Sequence, residues 1–155
     1  MKKLNVLTGL LFGIMLLSCS SNDSSSEISN EELLTTNSPW TFSHYELVTI
    51  IDSGNSNLSQ TELENHINER DNGIVLVFNQ DGSGSLTKQD EYSYDYSWEI
   101  INNDKIVLTY DTFYGEVLIV NISSNQLITT VENYTSTYDE NVDFWVLHNG
   151  NYFYE

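Results

Sequence analysis

Few residues in this chain of 155 have the type and spacing for covalent chemistry. Cys19 is the only thiol. Glu62 and His66 stand four apart, one helical turn, but the H-E-x-x-H zinc pattern is absent and no further ligand accompanies them. They are expected on a solvated helix face. His44 lies in an aromatic, β-branched run and is expected as a half-exposed strand residue rather than a metal ligand. Asp95 and Glu99 share one face of a strand, which separates their backbones by roughly 13 Å at about 3.3 Å per residue, too far for a paired acid and base. The stretch Asn79-Gln80-Asp81-Gly82-Ser83-Gly84 lacks the Glu at the twelfth position that an EF-hand loop needs, and its Asp-Gly pair predicts a hairpin turn. No Ser-His-Asp order, metal cluster or phosphate loop stands out, so the residues point away from an enzyme and imply no cofactor. What remains is aromatic. Tyr92, Tyr94, Tyr96, Trp98 and Ile100 fall on one face of a strand, with Ser93, Asp95, Ser97 and Glu99 on the other. With Trp40 and Phe42 they could fill a core, or Trp40, Phe42, Tyr94, Tyr96 and Trp98 could line a small-molecule cavity, the rings packing while polar tips orient a ligand.

The elements that would position these residues are strands. Trp40 to Ile51 is rich in aromatic and β-branched residues and predicts a long first strand, with a bulge near His44 to reconcile Trp40 and Phe42 with Leu47. One helix of about three turns follows. Ser59 and Glu62 have capping-box spacing, Leu58 and Leu63 form a hydrophobic staple, Leu63 and Ile67 share a face, and Asn72-Gly73 supplies the stop. His66 and Arg70 are expected to help satisfy the carbonyls at its end. Ser29 with Glu32 predicts a further one-turn helix before Leu33 and Leu34, placed to plug an end of a barrel. Strands are expected near 40–51, 73–79, 84–89, 92–101, 105–112, 116–122, 126–134 and 142–148, with a tail after 149 that extends or caps the last. Their short connections after residue 73 demand antiparallel neighbours. The fold class is therefore all-β: an antiparallel up-and-down barrel of about eight strands with one short helix after the first, or, alternatively, a β-sandwich.

The N-terminus has a different character. Lys2 and Lys3 precede Leu4 to Leu17, an uncharged and mostly apolar run too short to cross a bilayer as a helix and shaped like a signal-peptide core. Leu16-Leu17-Ser18-Cys19 then resembles the bacterial lipobox. That resemblance implies a signal peptide over residues 1–18, cleavage before Cys19, and acyl chains on Cys19. It implies anchorage to the membrane at the cell envelope, since several acyl chains hold where one is marginal. Ser20 after the cysteine does not resemble the Asp that retains some lipoproteins in the inner membrane, which points to the outer membrane. Residues 19–32 are expected to form the lipidated cysteine and a polar tether, leaving 33–155 as the folded domain.

Charge narrows the partners. The chain carries five Lys and Arg against 23 Asp and Glu, a formal net charge of −18. Without Lys2 and Lys3 only Arg70, Lys88 and Lys105 remain as side-chain cations. Such a surface repels nucleic-acid phosphates, and no nucleic-acid partner is expected. With one cysteine there is no internal disulfide, so the core must hold the domain by packing.

Several residues in order resemble bacterial lipocalin-like lipoproteins: Leu33-Leu34 before Trp40, the turn Phe78-Asn79-Gln80-Asp81-Gly82-Ser83, the strand Tyr96-Ser97-Trp98-Glu99-Ile100 followed by Asp104-Lys105-Ile106-Val107-Leu108, and Asn125-Gln126-Leu127 at the start of a late strand. The G-x-W of lipocalins is Ser38-Pro39-Trp40 here, and no arginine follows Arg70. The resemblance implies a calyx that binds a small or hydrophobic ligand without catalysis. The alternative is a protein-interaction module, such as an inhibitor, an immunity-type protein or an envelope-assembly component.

Overall fold

The structure, a computed structural model, describes residues 28–88, 92–111, 115–138 and 144–155. Cys19 and the stretch around it lie outside the described residues. Helix α1 (Asn30–Thr36) precedes β1 (Trp40–Asp52); α2 (Gln60–Asp71) follows, and then β2 (Val75–Phe78), β3 (Ser83–Lys88), β4 (Tyr92–Ile101), β5 (Lys105–Tyr110), β6 (Glu116–Ile122), β7 (Leu127–Tyr138) and β8 (Phe144–Tyr154). The strands pair antiparallel in chain order, and β8 returns to β1, closing a barrel. The sandwich alternative is excluded by that closure.

Each turn has a local cause. The β2–β3 hairpin turns at Gly82, whose φ of +81° suits a residue without Cβ, and the Asp81 carboxylate accepts from Ser83 N at 3.0 Å. Asn102 and Asn103 take left-handed φ of 55° and 61° between β4 and β5, as short polar side chains tolerate. The first strand is bulged between Phe42 and His44, where its pairing with β8 shifts register. Its register shifts again at Leu47/Thr49 and Ile50/Asp52, and a bulge falls in β7 between Val131 and Tyr134, at Asn133 with φ 52°.

Helix α1 closes one barrel end. Ser29 caps it by accepting from Glu32 N at 3.1 Å. The Trp40 indole donates to Leu34 O at 2.9 Å, and Asn30 reaches Asn103 O at the β4–β5 turn. The helix thus begins inside the stretch expected as tether, because its capping residues already dock on the barrel. Beneath it Phe78 packs edge-on to Trp98 at 5.6 Å, and Ile106 and Leu127 are fully buried.

Helix α2 has a different task. The β1–β2 ladder contains only Trp40↔Leu76 and Thr41↔Val75, because the chain turns at Asp71–Ile74 and β2 starts late. Beyond Phe42, whose N–H still donates to Ile74 O at 2.8 Å, the β1 edge facing this side has no strand beside it. Helix side chains take its place. Asn68 Oδ1 accepts from Tyr45 N at 2.6 Å while Asn68 Nδ2 donates to Tyr45 O at 3.1 Å, and Glu64 Oε2 accepts from Leu47 N at 2.9 Å. Leu63 and Ile67 on the same helix are fully buried in the core. The capping box is formed: Ser59 Oγ accepts from Glu62 N, and Glu62 accepts from Ser59 N at 2.8 Å. Glu62 is thereby occupied at the helix start, and the described residues hold no cluster of metal-ligating side chains.

Of the two fates expected for the tail after the last strand, extension is the one observed. Strand β8 absorbs residues 149–154, and Val146, His148, Gly150, Tyr152 and Tyr154 all point inward. Gly150 lets Tyr45 in: a Cβ there would meet the Tyr45 hydroxyl at 1.8 Å.

Replacing Asn68 with Ala removes both partners of Tyr45's backbone. Leaving such groups unpaired costs about 1–3 kcal/mol. The Tyr45 amide is expected to exchange hydrogen faster in Asn68→Ala while the Val77 amide, held within the β2–β3 ladder, keeps its wild-type rate. Equal exchange at Tyr45 in the two proteins would show that α2 does not serve as the missing strand.

Candidate ligand-binding site

The barrel interior is not full. Away from the α1 end lies a cavity of about 170 Å³. Leu76, Leu86, Leu108, Leu118 and Val131 form its apolar wall, and Tyr110, Tyr134, Tyr152, Tyr154 and Thr129 bring hydroxyls to it. One formally charged side chain lines it, Glu116. For scale, an engineered apolar cavity of about 150 Å³ accommodates benzene.

Alternation along the strands aims these residues. On β6, Glu116 is in phase with the buried Leu118, Val120 and Ile122, while Val117 between them is exposed. On β7, Leu127, Thr129 and Val131 face inward until the bulge at Asn133, after which Tyr134 and Ser136 take over the inward phase. The β6–β7 ladder runs only from Ile122↔Leu127 to Ile119↔Thr130. Among the described residues, Glu116–Leu118 and Val131–Tyr134 therefore face each other unpaired. Glu116, Leu118, Val131 and Tyr134 line both the inner cavity and an outer groove that includes Lys105 and Glu132. The unpaired space between these two strands, which we call the passage, lies between groove and cavity.

The residues expected to line a cavity have other places. Trp40, Phe42, Tyr96 and Trp98 are buried, at 1%, 6%, 4% and 8% exposure, but none of them is on the cavity wall. Their polar tips are already engaged: Trp98 Nε1 donates to Ser83 O at 2.9 Å, Tyr96 OH to Val77 O at 2.9 Å, and Trp40 to α1. Phe42 stands behind the wall, against Tyr152 and Tyr154 at about 6 Å. Tyr94 is 42% exposed. The β4–β5 ladder ends at Tyr96↔Tyr110, so Tyr94 and Tyr92 project beyond the packed layer although they share the inward phase. The aromatic face is thus core at one end and solvent-facing rim at the other.

Two polar clusters flank the cavity, and sequence reading passed over both. In the first, Asp71 is 5% exposed and takes two hydrogen bonds from Arg70, at 2.9 and 2.5 Å. Lys88 Nζ is 3.8 Å from the same carboxylate, and Arg70 also donates to the Tyr152 hydroxyl at 3.4 Å. Burial alone would lower the Arg70 pKa; the bond and charge of Asp71 outweigh it and raise the pKa. Arg70 is therefore committed to its neighbour and not to the carbonyls at the end of α2. The second is a relay of three buried side chains: Tyr45 OH to His148 Nδ1 at 2.8 Å, and His148 Nε2 to Ser136 Oγ at 2.8 Å. A serine beside a histidine invites comparison with a nucleophile and its base, but Ser136 is 1% exposed, His148 is 0% exposed, and neither lines the cavity. The relay satisfies buried polar groups. Its signal was the period-two series Val146, His148, Gly150, Tyr152, Tyr154, visible only once the final strand is extended past residue 148.

Electrostatics keep the cavity phenols neutral. Desolvation first, with the nearby Glu116 charge, pushes Tyr110 up to about 12. Desolvation also raises Tyr152 and Tyr154, aided by the Asp71 charge, and raises Tyr134. All four hydroxyls therefore stay protonated at ordinary pH. Desolvation raises Glu116 as well, although the residue is exposed at the start of β6.

The chain matches no protein-family model, no curated protein and no solved structure.

His148 makes this region acid-sensitive. Desolvation, then the charge of Arg70, lowers its pKa from 6.5 to about 4. The neutral buried ring contributes its full stability above pH 6.5, and that contribution is lost as pH falls toward 4, because unfolded chains take up the proton that the folded chain resists. The loss is roughly 3 kcal/mol by the free energy of such a shift. Denaturant titrations of the wild type and of His148→Gln at pH 7 and pH 4.5 are expected to differ, the wild type losing more on acidification. Parallel losses would exclude His148 as the cause.

Proposed function

We propose that the protein is a lipid-anchored lipoprotein of the cell envelope whose lipocalin-like barrel binds a small hydrophobic ligand and performs no catalysis. The observation that carries this reading is the cavity of about 170 Å³ with apolar and phenolic walls, reached between β6 and β7. Ligand sites are mostly apolar concavities with a few convergent polar groups, and barrels place them inside. The cavity takes a ligand no larger than a single ring with short substituents. The anchor in this reading is Cys19, within the stretch that resembles a lipobox, and the outer membrane is its proposed location.

A second reading has its own support. Ile51, Tyr92, Tyr94 and Trp145 are exposed between 40% and 66%. They come from the last residues of β1, the first of β4 and the first of β8, strand ends that the antiparallel order brings to the side of the barrel opposite α1. An apolar rim of this kind fits a protein-interaction module, in which the barrel is scaffold and the rim is contact surface.

Native mass spectrometry of the chain purified from its own envelope extract separates the two. A co-purifying small mass, released on denaturation, is the expected result. A protein partner without a small mass would replace ligand binding with the interaction reading. The anchor is tested separately. Cys19→Ser is expected to abolish incorporation of labelled palmitate and to move the chain from the membrane to the soluble fraction; unchanged labelling would remove Cys19 as the attachment site.

A further inference from the structure

We infer that the cavity selects a small hydrophobic cation, a protonated amine on a single ring or short apolar body, with Glu116 as its counter-charge in the β6–β7 passage. This rests on the ligand-binding reading above and names the chemical class. Glu116 is the one formally charged side chain on the cavity wall. Strand alternation puts it in the inward phase, at the first residue of β6, paired with Leu108. No salt bridge joins it to another described side chain.

The cations needed to neutralise an incoming acid instead are otherwise placed. Arg70 holds Asp71 through two hydrogen bonds, Lys88 lies 3.8 Å from the same carboxylate, and neither is on the cavity wall. Lys105 lies in the outer groove, where Glu132 shares the lining with Glu116. A fatty acid or other carboxylate would meet Glu116 at the passage and find no unengaged cation inside. A protonated amine gains the carboxylate, and the ring of Tyr134 in the same passage offers a π face to it. Its apolar body then lies against Leu108, Leu118 and Val131, with the neutral phenols of Tyr110 and Tyr154 behind. The net charge of −18 further favours a cation's approach over an anion's.

Three probes of one shape isolate the charge: benzylamine, benzyl alcohol and benzoate, titrated into the isotope-labelled full chain and followed by amide shifts. Salt near 0.15 M, where the screening length is about 8 Å, suppresses loose attraction to the acidic surface. Benzylamine is expected to bind about tenfold more tightly than benzyl alcohol, a preference of the size one close charge pair supplies, with benzoate weakest. The shifting amides are expected at Thr129, Val131 and Tyr152. In Glu116→Gln the amine-to-alcohol ratio is expected to fall to about one, while Glu116→Asp, which keeps the charge, retains part of it. Equal binding of amine and alcohol, tighter benzoate, or an amine preference that survives Glu116→Gln would overturn the cation assignment and leave small-ligand binding standing. Absence of binding by all three would remove both.

Discussion

A barrel wall works only if each main-chain N–H and C=O along it finds a partner, and β1 is where this wall runs out of strand. The second strand is four residues long and starts beyond the point where the upper half of β1 needs it. Leaving that edge bare would expose unpaired backbone beside the core, a cost and an aggregation template at once. The chain solves this with a helix. Asn68 gives one Tyr45 group an acceptor and the other a donor, and Glu64 accepts from Leu47. An amide side chain suits the position because it carries its donor and its acceptor on separate atoms, in the same spacing as a neighbouring peptide. The hydrophobic pair Leu63 and Ile67 then holds the helix against the core, so polar pairing and apolar burial reinforce one another.

The same helix ends in the Arg70–Asp71 pair, and that pair shapes the cavity's character from outside its wall. A buried carboxylate demands cations, and Asp71 takes Arg70 and Lys88. Of the three cations that remain once Lys2 and Lys3 are set aside, two are thereby spent on structure. Burial first, and then the Asp71 charge, keeps the hydroxyls of Tyr152 and Tyr154 protonated. The interior is left with donors, aliphatic walls and a single carboxylate at its passage.

The fold was legible because its signals are local. Period two in residues 92–100, the Asp-Gly and Asn-Asn turns, the Ser59–Glu62 box and the Phe42/His44 bulge all declare themselves within a few residues, and short connections leave little freedom in strand order. The site was less legible because it depends on where neighbouring ladders stop. Tyr94 and Tyr96 are equivalent by alternation, yet Tyr110 is the last β5 partner and so separates core from rim. Glu116 was in phase with Leu118, Val120 and Ile122 from the start, but a lone carboxylate at a strand's first residue looks like a solvated end until the missing β6–β7 pairs are known. Tyr134, Ser136 and His148 were hidden by bulge and length: the β7 phase reverses at Asn133, and the final strand continues past the point where its polar residues resemble a tail.

That reversal at Asn133 makes β7 sensitive to its length everywhere except at the bulge itself. A strand with a bulge counts odd on one side and even on the other, so the extra residue acts as a parity bit for everything beyond it. Three steps along β7, from Val131 to Tyr134, span two along β8, from Gly150 to His148. Losing Asn133 by a three-nucleotide deletion would remove the extra residue, and Tyr134 and Ser136 would then follow Val131 in ordinary alternation, still facing inward. Losing Thr135 instead would turn either Tyr134 or Ser136 outward, and in the second case a buried imidazole would lack one partner although no residue touching it had been substituted. Deletions two positions apart on this strand should therefore have very different histories.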